Sequence, residues 1–169
     1  MDIGVLLLRL TVGLTLGAHG AQKLFGWFGG PGLDGTGKGM EMLGFFPGRH
    51  HALMAGLTEV GGGLLLALGL VTPVAASIVF AVMLVAGVSA HVRHGFFLKN
   101  GGYEYTLVLG LSGLSLAFTG PGLLSLDALL GLHLQGALWG AGAVLVGAAG
   151  AAIQIGGRRR AQTSQAVAA

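Results

Sequence analysis

No cysteine occurs among the 169 residues. That removes disulfides, thiol nucleophiles, thiolate metal sites and iron–sulfur clusters from the chemistry this chain can run by itself. Charge is nearly as scarce, at 9% of residues, against roughly 25% in soluble domains. So few charges cannot cover a water-facing surface, and a mean hydropathy of +0.81 points to lipid as the solvent. The net charge of +3 does not indicate a nucleic-acid partner, because the basic residues lie in the loops between apolar runs, where membrane proteins keep them. No segment alternates with period two over a strand length, which argues against a β-barrel. What is left is an all-α integral membrane protein.

Spanning the hydrocarbon layer takes about 20 apolar residues as a helix, and about 17 at the short end. Five segments reach that length: Ile3–Gln22, His51–Leu70, Val74–Val92, Tyr103–Thr119 and Gln135–Gly156. Only four prolines are present, and two of them punctuate the runs. Val71-Thr72-Pro73 makes a tight turn between the second and third segments, and Gly120-Pro121-Gly122 ends the fourth. If all five span, one side of the membrane receives Lys23, Lys38, Arg49, Arg93, Lys99, Arg158, Arg159 and Arg160, and the other only Arg9. Eight against one is a strong positive-inside bias; with four spans the count becomes five against four and the bias vanishes. The expectation is therefore five spans, the fifth a transmembrane helix at the C-terminus, in the plasma membrane, with the N-terminus outside and the C-terminus in the cytoplasm.

This divides the chain into a four-helix membrane domain over 1–134, an extra transmembrane helix over 135–157 and a basic tail over 158–169, disordered from Ala161 to Ala169. The fifth segment carries a stripe of small residues, Gly136, Gly140, Ala143, Gly147 and Ala151, suited to close helix packing and to a homo-oligomer; the alternative is a helix lying on the surface. An N-terminal signal peptide is disfavoured by Asp2 and by Arg9 within the apolar stretch. The loop over 23–50 is long for so small a protein. Its Phe25, Trp27, Phe28, Phe45 and Phe46 suit the headgroup belt, and Thr36 is placed to cap a short interfacial helix through Met40 and Leu43. Gly32 to Lys38 imitates a phosphate-binding loop, but Gly39 stands where Ser or Thr should hold magnesium and no strand precedes it. Nucleotide binding is rejected.

Ionisable groups inside a bilayer are expensive and mark function by default. Here they are Arg9, His19, Glu59, His91 and Glu104, with Lys23 and His94 as secondary members. The expected topology places them in one pocket in the cytoplasmic half, centred on Glu59. Gly56 and Gly63 let neighbouring helices crowd that carboxylate, and Arg9, beside Gly13, Gly17 and Gly20, is its expected partner. A structural ion pair that only fixes packing explains the same residues. His19 and His91 allow three readings: hydrogen bonds to a quinone carbonyl, ligation of a haem from opposite helices, or interfacial histidines. His50, His51 and His133 read as loop or helix-end residues. No metal site and no catalytic motif is visible.

Arg9-Leu10 with Gly13, His19-Gly20, Lys23-Leu24-Phe25-Gly26, Gly32-Leu33, Gly35-Thr36, Leu43-Gly44-Phe45 with Pro47, Glu59 with Gly62-Gly63 and Gly69, His91, Gly95-Phe96 and Glu104 occur in that order. Together they resemble the DoxX family of small membrane proteins, from about Leu7 to Leu130. The resemblance implies a four-helix core, to which the segment from Gln135 is an appendage. It further implies a membrane component of a redox system. That means either a quinone-linked oxidoreductase subunit, or a scaffold holding soluble detoxification enzymes such as superoxide dismutase and a sulfurtransferase. Two other classes stay open: a small transporter or proton channel using the same groups as a relay, and a structural protein.

Overall fold

A computed structural model describes the backbone of residues 2–168 and the side chains of residues 2–158; the expected disordered tail, Ala161–Ala169, lies outside the described side chains. The chain is all-helical. It forms α1 (Asp2–Phe25), α2 (Gly32–Met42), α3 (Gly48–Leu68), α4 (Thr72–Ala86), α5 (Glu104–Thr119), the single turn α6 (Leu126–Leu129) and α7 (Ala137–Ala168). Among the described residues, four helical stretches are long and apolar enough to cross a membrane: α1, α3, α4 with its continuation (Thr72–His94) and Ala137–Arg158 of α7. The short member is α5, with 16 residues, and not the C-terminal helix whose composition looked weakest.

Glycine sets the closest packing. α1 and α3 run antiparallel, and a Cβ placed on Gly13 would lie 2.8 Å from the Ala67 backbone nitrogen and closer still to the Gly63 carbonyl. One placed on Gly20 would lie 2.7 Å from the Gly56 carbonyl. The two backbones therefore touch along a seam where only hydrogen fits, as small-residue interfaces in membranes allow. Beside the seam, Val12, Leu16, Leu66, Ala75, Val79, Met83, Leu109 and Leu116 form the buried core from α1, α3, α4 and α5. Leu7, Leu57, Leu64, Leu111, Leu145 and Ile153 point outward and are exposed, which in lipid is the favourable side.

α3 ends at Gly69, whose φ of +64° is the left-handed conformation glycine adopts without penalty. Leu70 N–H reaches Leu65 O and Gly69 N–H reaches Leu66 O, both at 3.0 Å, a Schellman closure. The expected turn follows at once, with Pro73 in the first turn of α4, where its missing N–H has no partner to lose.

α7 is no appendage. Its small residues pack inward: Gly140 lies against Phe118, Gly147 against Phe80 and the Ser77 carbonyl, and Ala143 and Ala151 are buried. The stripe read as an oligomer surface is thus used within the chain against α4 and α5, and Gly136, with φ of +102°, stands in the turn before the helix. At the far end Gln154 Nε2 meets His51 Nδ1 at 2.8 Å, and the Arg158 guanidinium stands 5.8 Å over the Phe45 ring. α7 therefore traverses the bundle from the turn after α5 to the start of α3. Phe45 is correspondingly buried and not part of the headgroup belt, whereas Phe25, Trp27 and Phe28 are exposed as expected.

The bundle has two unlike ends. Lys23, α2, Arg49, the segment 92–104 and Arg158 share a basic end; Asp2, Gly69, α6 and the start of α7 share the other. α2 packs across the start of α3, where Gly48 meets the Gly37 carbonyl and Gly48 N–H donates to Glu41 Oε1 at 3.1 Å. It begins at Gly32, so Thr36 sits one turn inside it and is not its cap.

Candidate functional site

α1 presents His19 and Lys23 one turn apart on one face, the i, i+4 spacing that stacks side chains. Lys23 Nζ lies 2.6 Å from Glu59 Oε2 of α3; the lysine side chain is 23% exposed and the glutamate 5%. His19 Nε2 lies 2.9 Å from the Tyr105 hydroxyl of α5, with the two rings edge to face, 5.7 Å between centroids. The pairs adjoin, because His19 and Lys23 stand one turn apart on α1. Next to them opens a cavity of about 280 Å³ lined by Gln22, Lys23, Pro31, Thr36, Gly39, Met40 and Leu43. α2 roofs it.

Arg9 is not the partner of Glu59. With Gly13 facing Gly63 and Gly20 facing Gly56, residue 9 meets the end of α3 and Lys23 turns back onto residue 59. The two cations stand about 21 Å apart along α1, at 1.5 Å rise per residue. Arg9 is fully buried at the opposite end, where Nη2 donates to the Leu124 carbonyl and Asp127 supplies the nearest countercharge. Among the described residues its Nε and Nη1 have no hydrogen-bond partner.

Asp127, which the sequence reading missed, is also fully buried. Its Oδ1 accepts Val71 N–H at 2.7 Å, and its Oδ2 accepts Thr72 N–H at 2.9 Å and the Thr72 hydroxyl at 2.7 Å. It thereby caps α4, and it holds Val71 at φ of +43°, a conformation costly for a β-branched residue. A signal was available: Asp127 is the single acidic residue after Glu104.

His91 and Glu104 take a different task from the one expected. α4 continues through a five-residue π-helical turn, Gly87–His91, and His91 Nδ1 contacts the Gly101 carbonyl at 2.7 Å. Glu104 Oε2 accepts Leu98 N–H at 2.9 Å. Both fasten the segment between α4 and α5. His94 Nδ1 contacts its own helix at Ala90 O, 3.1 Å. Of the five residues expected in one pocket, the structure joins His19 and Glu59, adds Lys23 from the secondary pair, supplies Tyr105, and leaves Arg9 at the other end. Among the described residues no group of three His, Asp or Glu could hold a metal ion.

A family model described as DoxX matches residues 4–92, from the start of α1 through the π-helical turn. The chain belongs to the DoxX family. A curated relative, named "Putative oxidoreductase CatD" from Bacillus subtilis (strain 168), is 30% identical over 126 residues, covering 75% of this chain and 86% of the relative. No solved structure matches significantly. The DoxX match contains Lys23 and Glu59 but ends before Tyr105, so the histidine–tyrosine pair reaches outside the matched region to α5. This DoxX chain is a multi-pass membrane protein, with its polar pairs at the basic end of the bundle.

Proposed function

We propose that this DoxX protein is a redox-associated membrane subunit or scaffold whose basic half holds a quinone-like, lipid-soluble ligand. The observation that carries the reading is the pair of adjacent dyads, Lys23–Glu59 and His19–Tyr105, set beside a cavity. A quinone head needs donors for its carbonyl oxygens and an apolar wall for its ring. Lys23 keeps two of its three N–H donors after pairing with Glu59, the His19–Tyr105 pair keeps one donor beyond the bond between its members, and Met40 and Leu43 supply the wall. Such a group would accept and release electrons when bound; the chain's own residues bind and orient it. The name of the Bacillus relative, an oxidoreductase, is consistent with this. A channel is less well supported, since Val12, Leu16, Leu66 and Val79 fill the space between the two polar ends, each at most 2% exposed.

Titration of the purified protein in nanodiscs with a short-chain ubiquinone analogue tests the reading. Saturable binding is expected, weakened about tenfold by Tyr105→Phe and by Lys23→Gln, as for loss of one hydrogen bond of about 1.4 kcal/mol. Absence of saturable binding to the wild type would sink it.

The basic end is proposed to face the cytoplasm of a plasma-membrane protein, on the eight-to-one loop charge. Because the chain has no cysteine, a single introduced thiol reports topology directly. A membrane-impermeant maleimide on intact cells is expected to label Leu130→Cys and to spare Lys38→Cys; the opposite pattern would invert the orientation.

A further inference from the structure

The cavity under α2 combines three features that together select a ligand class. The first is its charge. Lys23 brings a cation to the wall, but Glu59 holds that cation at 2.6 Å from a nearly buried position, so the wall offers N–H donors without a net positive charge. The other ionic groups of α2 and its surroundings are engaged or turned outward: Asp34 and Arg49 pair with each other at 2.9 Å and are exposed at 82% and 70%, Glu41 accepts Gly48 N–H, and Lys38 is exposed.

The second feature is Thr36. A threonine inside a helix ordinarily returns its hydroxyl to a carbonyl of the preceding turn. Thr36 lines the cavity, and its Oγ1 is enclosed with no hydrogen-bond partner among the described residues. A buried hydroxyl left unpaired is unfavourable, and a ligand oxygen in the cavity would satisfy it. The third is the remaining lining: Pro31, Met40 and Leu43 are apolar, and Gly39 leaves room between the two helices.

We propose that this cavity is a subsite for a neutral ring compound bearing hydrogen-bond acceptors, with Lys23 Nζ and Thr36 Oγ1 as donors and Glu59 as the residue that sets specificity. Glu59 rejects carboxylates and phosphates by occupying the lysine and by repelling a second anion beside it. The inference rests on the ligand-binding reading above and sharpens it, by fixing which of the lipid-soluble compounds of suitable size the site admits. It also assigns α2, outside the helical core, a direct role in recognition.

The experiment uses the full chain in phosphatidylcholine nanodiscs, in a Trp139→Phe background so that Trp27, close in the chain to Pro31, reports binding by fluorescence. The probes are a decyl-substituted benzoquinone and a decyl-substituted benzoate, equal in chain length and different in charge. The wild type is expected to bind the quinone at least tenfold more tightly than the benzoate. Thr36→Val should weaken quinone binding about tenfold and Thr36→Ser should restore it. Glu59→Gln, which frees the lysine charge, should tighten benzoate binding about tenfold or more. Quinone binding that ignores Thr36→Val, or a Glu59→Gln protein with no gain for benzoate, overturns the subsite and leaves the broader proposal standing. A wild type that binds no quinone removes both. Should Glu59→Gln fail to assemble, the Thr36 pair of variants decides alone.

Discussion

Gly63→Ala is expected to destabilise the bundle by about 3 kcal/mol, at the upper end for overpacking, while Gly61→Ala, two residues away, leaves it unchanged. The added methyl on residue 63 would stand 2.8 Å from the Gly17 backbone nitrogen and nearer still to the Gly13 carbonyl. Backbone cannot rotate aside as a side-chain end can, so α1 and α3 would have to separate along their whole seam. A methyl on residue 61 meets nothing within 4 Å. Gly13→Ala should repeat the Gly63 result, since it meets the same contact from the other helix. Thermal unfolding in detergent, followed by size-exclusion chromatography, reads the difference. Equal stability of the 61 and 63 variants would mean that the helices do not approach as described.

Asp127→Ala should be comparably severe, about 3–5 kcal/mol, because it strips several buried donors of one charged acceptor. Three donors lose their acceptor at once: Val71 N–H, Thr72 N–H and the Thr72 hydroxyl. Arg9 would lose its countercharge while fully enclosed. Asp127→Asn retains one acceptor oxygen and should fall between the two. The measurement is the same unfolding series, with the α1 variant Arg9→Met added. If Asp127→Ala were as stable as the wild type, α6 would not be holding the start of α4.

Much of this arrangement could be read from the sequence, and the misreadings share one cause. The apolar runs, the turns at Pro73 and Gly120, and the crowding of glycines near residues 13–20 and 56–63 depend only on neighbours along the chain. The pairing of Arg9 with Glu59 needed the register between α1 and α3. Periodicity identifies which face of each helix packs, but it says nothing of how far one helix slides along the other. A slide of about four turns separates the expected partner from the real one, Lys23. Tyr105 and Asp127 were missed for a related reason. Each acts across the bundle on a residue distant in the chain; nothing local marks Tyr105, and only a lone charge among apolar neighbours marks Asp127. His91 and Glu104, expected in the same pocket, make their hydrogen bonds at exposed positions instead. Their partners are backbone groups of the 95–104 segment, which no side-chain pattern records.

One consequence of the short α5 concerns the bilayer itself. Its 16 residues rise about 24 Å, some 6 Å less than a typical hydrocarbon layer of about 30 Å. The peptide groups beyond its N-terminus close on themselves, with Tyr103 N–H on Gly95 O at 3.1 Å and Glu104 N–H on Phe96 O at 2.9 Å, and His91 and Glu104 complete the set. The protein therefore carries hydrophobic mismatch on one flank only. Beside α5 the bilayer thins or flanking side chains snorkel, while beside α1 and α7 neither is needed, so membrane thickness acts on this bundle as a lateral, one-sided load.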